Sequence, residues 1–298
     1  MAGLETELSE LIGDAIDDEP PVYGYLMENL EGYDTIRTGL IERDERSVSA
    51  LLTGLWSALL EPAYTATVST RMLPNVSEDY FERAELRLMT AASNGLLPKA
   101  DSPLRIDAGD TTVDIKGGWG HALRHAGKHL QTVAPAFSTF AHGGPNPENI
   151  LWREDIDGAV SFRLIDPKHW RTGDYLWDIA KIGHYLRVTA PVEHQGSAVR
   201  VRSAGNAHEL IYGAANLGWH RSAEADFLVG VRQFAARDAV NDSTGWQERY
   251  ELAVAANLLG IVGPRLAKAS SAGASRDQEL ATVAFGEGLR ILVKLGCA

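Results

Sequence analysis

The chain has 298 residues, with 28 Lys and Arg set against 40 Asp and Glu, for a formal net charge of -12. That balance argues against nucleic acid as the main partner, because a phosphate backbone demands a basic face, and it suits a cationic ligand. With 45% hydrophobic residues, no apolar run near the roughly 20 residues of a membrane span, no basic-then-apolar leader and a single cysteine, Cys297, the expectation is a cytoplasmic globular protein without a membrane partner.

In chain order, residues 4–17 set Leu4, Leu8, Leu11, Ile12 and Ala15 at helical spacing among acidic residues, which predicts an amphipathic helix stopped by Pro20 and Pro21. Residues 22–27 read as a short strand, followed by a turn at Glu31-Gly32. From about Glu45 the pattern is helical, with Leu51, Leu52, Leu55, Ala58 and Leu59 on one face, and Pro62 is expected to close it. Ser77 is a predicted N-cap for a helix through Tyr80, Phe81, Ala84, Leu88 and Met89 that ends at Asn94-Gly95. Leu104 to Ile115 reads as a hairpin around Asp107-Ala108-Gly109-Asp110, and 119–133 as helix. Two more strands, near Ile150-Leu151-Trp152 and from Val160 to Ile165, flank the turn Ile156-Asp157-Gly158. Long helical patterns run from Leu176 to the end, broken by a predicted loop at 269–275.

The chemistry concentrates in the middle of the chain. Residues 142–149 read His142-Gly143-Gly144-Pro145-Asn146-Pro147-Glu148-Asn149, Asp166 follows in Ile165-Asp166-Pro167, and Gly173-Asp174 leads into Asp178-Ile179-Ala180. Phosphoryl transfer needs a group that orients the acceptor hydroxyl and side-chain oxygens that hold magnesium against the phosphates. Kinase-like enzymes set these on a strand-loop-strand unit, with Asp and Asn five residues apart and a second metal-binding Asp after the next strand. Asn149 and Asp166 have that spacing.

The series resembles the aminoglycoside phosphotransferase and choline kinase family, which shows His-Gly-Asp, four residues and Asn, then Ile-Asp-Pro, then Gly-Asp and Asp-Leu-Ala. The resemblance implies an α+β fold, with a truncated N-lobe remnant and hinge over 1–34 and a kinase-like C-lobe over 35–298, mostly helical with a catalytic β-hairpin. It implies ATP and Mg2+ as cofactors, with Asn149 and Asp166 as the metal ligands. His142 would brace the catalytic loop and Asp178 would tether it. Met27 and Asn29 would lie in the hinge-like segment Tyr25 to Tyr33 against adenine. Lys168, in Lys168-His169-Trp170-Arg171, could reach a phosphate or belong to a solvated loop.

Two departures from the family bear on activity. Gly144 stands where the family has its catalytic Asp, and glycine has no group to accept a proton. Glu148 and Glu154 are the nearest carboxylates in sequence. Only residues 1–25 precede the hinge-like segment, and they contain no lysine and no Gly-rich turn. Two functions are therefore expected. One is ATP-dependent phosphorylation of a hydroxyl on a small, cationic molecule, attenuated or completed by a homodimer or a partner chain that supplies the N-lobe. The other is an inactive pseudokinase that acts as a binding or regulatory module. Glu224, Asp226, Asp238 and Asp242 could line a cationic pocket or sit on solvated helix faces. His121, His125 and His129 have metal-binding spacing without evident partner ligands and read as surface histidines.

Overall fold

The computed structural model describes residues 30–71, 73–76, 78–167, 171–213, 217–218 and 220–298. They belong to two units, Met1–Tyr33 and Asp34–Ala298. In the first, the Tyr33 N–H donates to the Leu30 carbonyl at 3.1 Å. The expected helix at 4–17, the strand at 22–27 and the Ser77 cap lie outside the described residues.

The second unit is α+β. It opens with β1 (Asp34–Thr35), α1 (Ile36–Glu42), α2 (Glu45–Leu55), a π-helical turn (Trp56–Leu60), α3 (Glu61–Thr67), a second π-helical turn (Glu78–Glu82) and α4 (Arg83–Ser93). There follow β2 (Leu104–Asp107), β3 (Thr112–Ile115), α5 (Gly118–Thr132), β4 (Thr139–Ala141), β5 (Ile150–Glu154), β6 (Val160–Leu164), β7 (Arg171–Gly173) and α6 (Tyr175–His184). A third π-helical turn (Tyr185–Thr189), α7 (Ala190–Gln195), β8 (Val199–Ala204), β9 (Ala207–Tyr212), α8 (Arg221–Ala235), α9 (Trp246–Ala272) and α10 (Ser275–Lys294) complete it.

Helix α2 starts where Asp44 accepts the Ser47 N–H, and it buries Val48, Leu51, Leu52 and Leu55. Pro62 does not close this helix, contrary to expectation. The Glu61 N–H donates to the Trp56 carbonyl, one residue wider than an α-turn, so Pro62 falls in the first turn of α3. There a missing N–H leaves no intrahelical bond unmade.

Helix α9 runs 27 residues and packs on α4, α6 and α10. Its length and apolarity would suffice to cross a bilayer, but in this fold it is a core helix, with Leu252, Val254, Leu258 and Leu259 fully buried. The residues expected as a loop at 269–272 are its last turn, and only Gly273, at φ 63°, and Ala274 separate it from α10. A left-handed glycine just past the last turn ends a helix regardless of how Ala- and Ser-rich that turn is. Pro264, inside α9, cannot donate to the Gly260 carbonyl four residues back. Arg87 Nη1 of α4 fills that vacancy at 2.7 Å.

The strands form three sheets, ordered β1-β5-β6, β4-β7 and β3-β2-β9-β8. The β8–β9 hairpin, joined by Gly205-Asn206, corrects the expectation that only helical patterns and one loop follow Leu176. Strand β9 pairs in parallel with β2, about a hundred residues earlier, and every other pairing is antiparallel. In that sheet Leu104, Ile106, Leu210 and Tyr212 are buried. The opposite face carries a row of alternating charge, Asp114–Arg105 at 3.5 Å, Arg105–Glu209 at 3.6 Å and Glu209–Arg202 at 3.5 Å, which keeps it solvated.

Candidate functional site

The sheet pairings gather the motif. Strands β4 and β7 pair from Thr139↔Gly173 to Ala141↔Arg171, which brings together the two ends of the segment between them. Within it, β5 and β6 form a hairpin that starts at Ile150↔Leu164, and the Ile165 N–H extends the ladder by donating to the Asn149 carbonyl at 3.0 Å. Asn149 and Asp166 therefore emerge side by side at the open end of the hairpin.

The loop before Asn149 is curled by its own hydrogen bonds. The Asn146 N–H donates to the Gly144 carbonyl at 2.8 Å, and Asn149 Nδ2 donates to the same oxygen at 2.9 Å. This fixes the carboxamide and leaves its Oδ1 with no hydrogen bond among the described residues. Asp166 is exposed and takes φ 52°, in the left-handed region. Pro167 follows it, and proline restricts the residue before it to extended backbone, so Asp166 is strained on two counts.

Asp178 holds the loop from below. It lies in the first turn of α6 and is 1% exposed. Its Oδ2 accepts the His142 N–H at 2.7 Å, its Oδ1 accepts the Gly143 N–H at 2.9 Å, and the Tyr64 hydroxyl stands 3.5 Å from Oδ2. Burial pushes its carboxyl up to about 7, against the lowering effect of the two backbone N–H groups, Lys181 and Tyr64. Gly143 turns the chain at φ 76°, where a side chain would be strained. Gly144 is buried and is not in the left-handed region, so its backbone would accept a side chain without φ strain. His142 is itself buried.

Helix α6 is itself anchored by a buried charge network that sequence reading missed. Asp174 caps it by accepting the Leu176 N–H at 3.1 Å, and also accepts from the Tyr80 hydroxyl at 2.8 Å and from Arg249 Nε at 2.6 Å. Arg249, fully buried on α9, also donates to Asp242 and to the Val133 carbonyl. The only local sign of this role is an arginine inside an apolar helix.

The remaining expected residues are dispersed. Glu148 is exposed and stands 3.8 Å from Arg37 of α1, whose N–H donates to the Pro147 carbonyl; Glu154 pairs with Arg43 at 3.2 Å. Met27, Asn29 and Lys168 lie outside the described residues. The four acids expected around a cationic acceptor do not form one pocket. Glu224 is buried against Arg187 and Tyr250, Asp242 is buried against Arg249, Asp226 accepts the Ser49 hydroxyl, and Asp238 is exposed. The His121 and His125 rings are 4.1 Å apart and His129 pairs with Glu248 at 3.1 Å. No group of three or more His, Cys, Asp or Glu side chains able to hold a metal occurs among the described residues.

Comparison with known protein families, characterised proteins and solved structures finds no match. Function must therefore be argued from the donors themselves. One amide oxygen and one carboxylate are too few to retain a divalent ion alone. They fit Mg2+, which takes one or two protein oxygens and completes its octahedron with water and substrate phosphates.

Proposed function

We propose that residues 139–178 form the catalytic segment of a kinase-like phosphotransferase acting on a small-molecule hydroxyl, with transfer attenuated by glycine at position 144. The observation that carries this reading is the Asp178 carboxylate, which fixes the backbone N–H groups of both His142 and Gly143. That contact commits a buried charge to holding one short loop, which is the preorganisation phosphoryl transfer requires, since its catalysis is mostly positioning and electrostatics. In this reading Asn149 Oδ1 and the Asp166 carboxylate hold Mg2+ together with the nucleotide phosphates, and the bound ion neutralises their charge. Gly144 offers no carboxylate to orient the acceptor. The experiment is titration of the chain with ATP with and without Mg2+. Nucleotide binding is expected to depend on the metal and to lose that dependence in Asp166→Ala; an unchanged dependence refutes the assignment.

A second reading, a binding module without turnover, is favoured by the arginine partners of Glu148 and Glu154, which leave no evident substitute for the family's Asp. Gly144→Asp separates the two. General-base assistance contributes about two to four orders of magnitude. A gain of that size in ATP turnover across a panel of amino-sugar and amino-alcohol acceptors supports the phosphotransferase, and no gain despite intact nucleotide binding supports the module.

A further inference from the structure

Strand β8 (Val199–Ala204) is an edge of the β3-β2-β9-β8 sheet and pairs only with β9 among the described residues. Gly205, at φ 60°, and Asn206 form the two-residue turn of that hairpin, so Ala204 and Ala207 close it as a mutually hydrogen-bonded pair. Bonded pairs alternate along an antiparallel ladder, which makes Arg202 with Glu209 and Arg200 with Ile211 the next two. The backbone N–H and C=O groups of Val201 and Ser203 therefore point away from β9. Both residues are exposed, and these groups meet no hydrogen-bond partner among the described residues. Such a row of unmet donors and acceptors is a template for one more strand.

The side chains select the strand. On one face, the alternating row Asp114–Arg105–Glu209–Arg202 crosses all four strands and stops at Arg202, whose side chain is 63% exposed. Arg200 shares that face, is exposed and forms no ion pair among the described residues. Strand β8 thus carries two arginines and no acid, in a chain of net charge -12. A carboxylate is the next charge in the alternation, since opposite charges on neighbouring strands attract and like charges repel. On the other face Val199 and Val201 lie beside Tyr212 and Leu210, both buried, yet Val201 is 54% exposed. The core stops short of the sheet's edge there, and an apolar neighbour would cover Val201. A second copy of β8 fits less well, because antiparallel pairing centred on Val201 sets Arg200 opposite Arg202.

We propose that the free edge of β8 docks an extended acidic segment of a partner protein, which adds as a fifth strand. Its carboxylates lie beside Arg200 and Arg202, and the apolar side chain between them covers Val201. The surface shares no residue with the Asn149–Asp166 pair and does not depend on the kinase-like reading.

Titration of the full chain with short, blocked, labelled peptides, followed by fluorescence anisotropy, tests the assignment. A peptide of alternating Glu and Val is expected to bind at least about tenfold more tightly than one of alternating Lys and Val, the factor that two exposed ion pairs turned into repulsions supply. Arg200→Glu combined with Arg202→Glu should invert that preference. Val201→Pro removes an outward N–H that the β8–β9 ladder does not use, so it should abolish binding and leave the midpoint of thermal unfolding nearly unchanged. In the native chain, saturating Glu-Val peptide should slow amide exchange at Val201 and Ser203 by at least about tenfold. The proposal is overturned if millimolar Glu-Val peptide gives no binding, if the two amides exchange as before, if the Lys-Val peptide binds as tightly, or if the double charge reversal keeps the order. Self-association of the chain that Val201→Pro removes would assign the edge to a second copy and equally overturns it.

Discussion

Replacing Asp178 with asparagine removes a buried titratable charge and keeps the side chain's shape, so it separates what the charge does to stability from what it does to the loop. Burial raises this carboxyl from 3.8 to about 7. That rise corresponds to about 4 kcal/mol of differential proton binding. The folded state binds the proton more tightly than the unfolded state. The group's contribution to stability is therefore fully present below about pH 4 and is lost as pH rises through about 7. Between about pH 5.5 and 7 the loss is about 2 kcal/mol. Asparagine does not titrate, so the variant lacks this decline. The gap in unfolding free energy, Asp178→Asn variant minus native, should widen by about 2 kcal/mol between about pH 5.5 and pH 8. The loop should respond in the opposite sense. The asparagine carbonyl can accept one of the two N–H groups, while its amide turns a donor toward the other. At about pH 8 the His142 and Gly143 amides should exchange with solvent at least about tenfold faster than in the native chain. Urea unfolding at both pH values and hydrogen exchange of the two amides measure this. A gap independent of pH, or unchanged exchange, refutes the account of Asp178 as a charge kept for positioning at a cost in stability.

Two further predictions concern the scaffold. Arg249→Met strands Asp174 and Asp242 in the core and should destabilise by about 3–5 kcal/mol, with Asp242→Asn recovering part of it; a loss under about 1 kcal/mol in thermal unfolding contradicts the network. Arg87→Met exposes the Gly260 carbonyl and should cost about 1–3 kcal/mol, whereas in a Pro264→Ala background the restored N–H should remove much of that cost, so a double-mutant cycle without coupling argues against the vacancy-filling role.

What could be read from sequence was what local rules encode. The hairpins at 104–115 and 150–164 were legible because each couples β-forming runs to a turn that needs Gly and Asp, and spacing singled out the residues from His142 to Asp178 on which the proposed site rests. The π-helical turn at Trp56–Leu60 was not, because one extra residue in a turn shifts the helical phase too little to show among apolar neighbours. The β8–β9 hairpin had its signal in Gly205-Asn206, but β8 is exposed along nearly its whole length and so lacks the apolar alternation that marks a strand. The parallel pairing of β9 with β2 and the contact of Arg249 with Asp174, 75 residues away, arise only when distant elements meet. No period in the sequence records them.

The candidate site concentrates features that oppose stability. Asp178 carries a carboxylate where burial disfavours charge, and Asp166 takes a left-handed backbone before a proline. A left-handed non-glycine residue costs about 1–3 kcal/mol, and glycine at that position would remove the cost. Asn149 folds back on Gly144 and keeps a bare amide oxygen at the hairpin mouth. The buried network around Arg249, by contrast, gives each of its two carboxylates a cation and a tyrosine hydroxyl. A scaffold selected for stability alone would favour the second arrangement throughout, since single substitutions relieve each strain in the first. His220 and Asn241 are also left-handed, but of the three only Asp166 precedes a proline, and strain of that kind beside a hairpin mouth is what a ligand-binding function would maintain. This supports the proposed metal-nucleotide site at Asn149 and Asp166, and it applies equally to slow phosphotransfer and to binding without turnover. Gly144→Asp, as proposed above, is the test that separates those two.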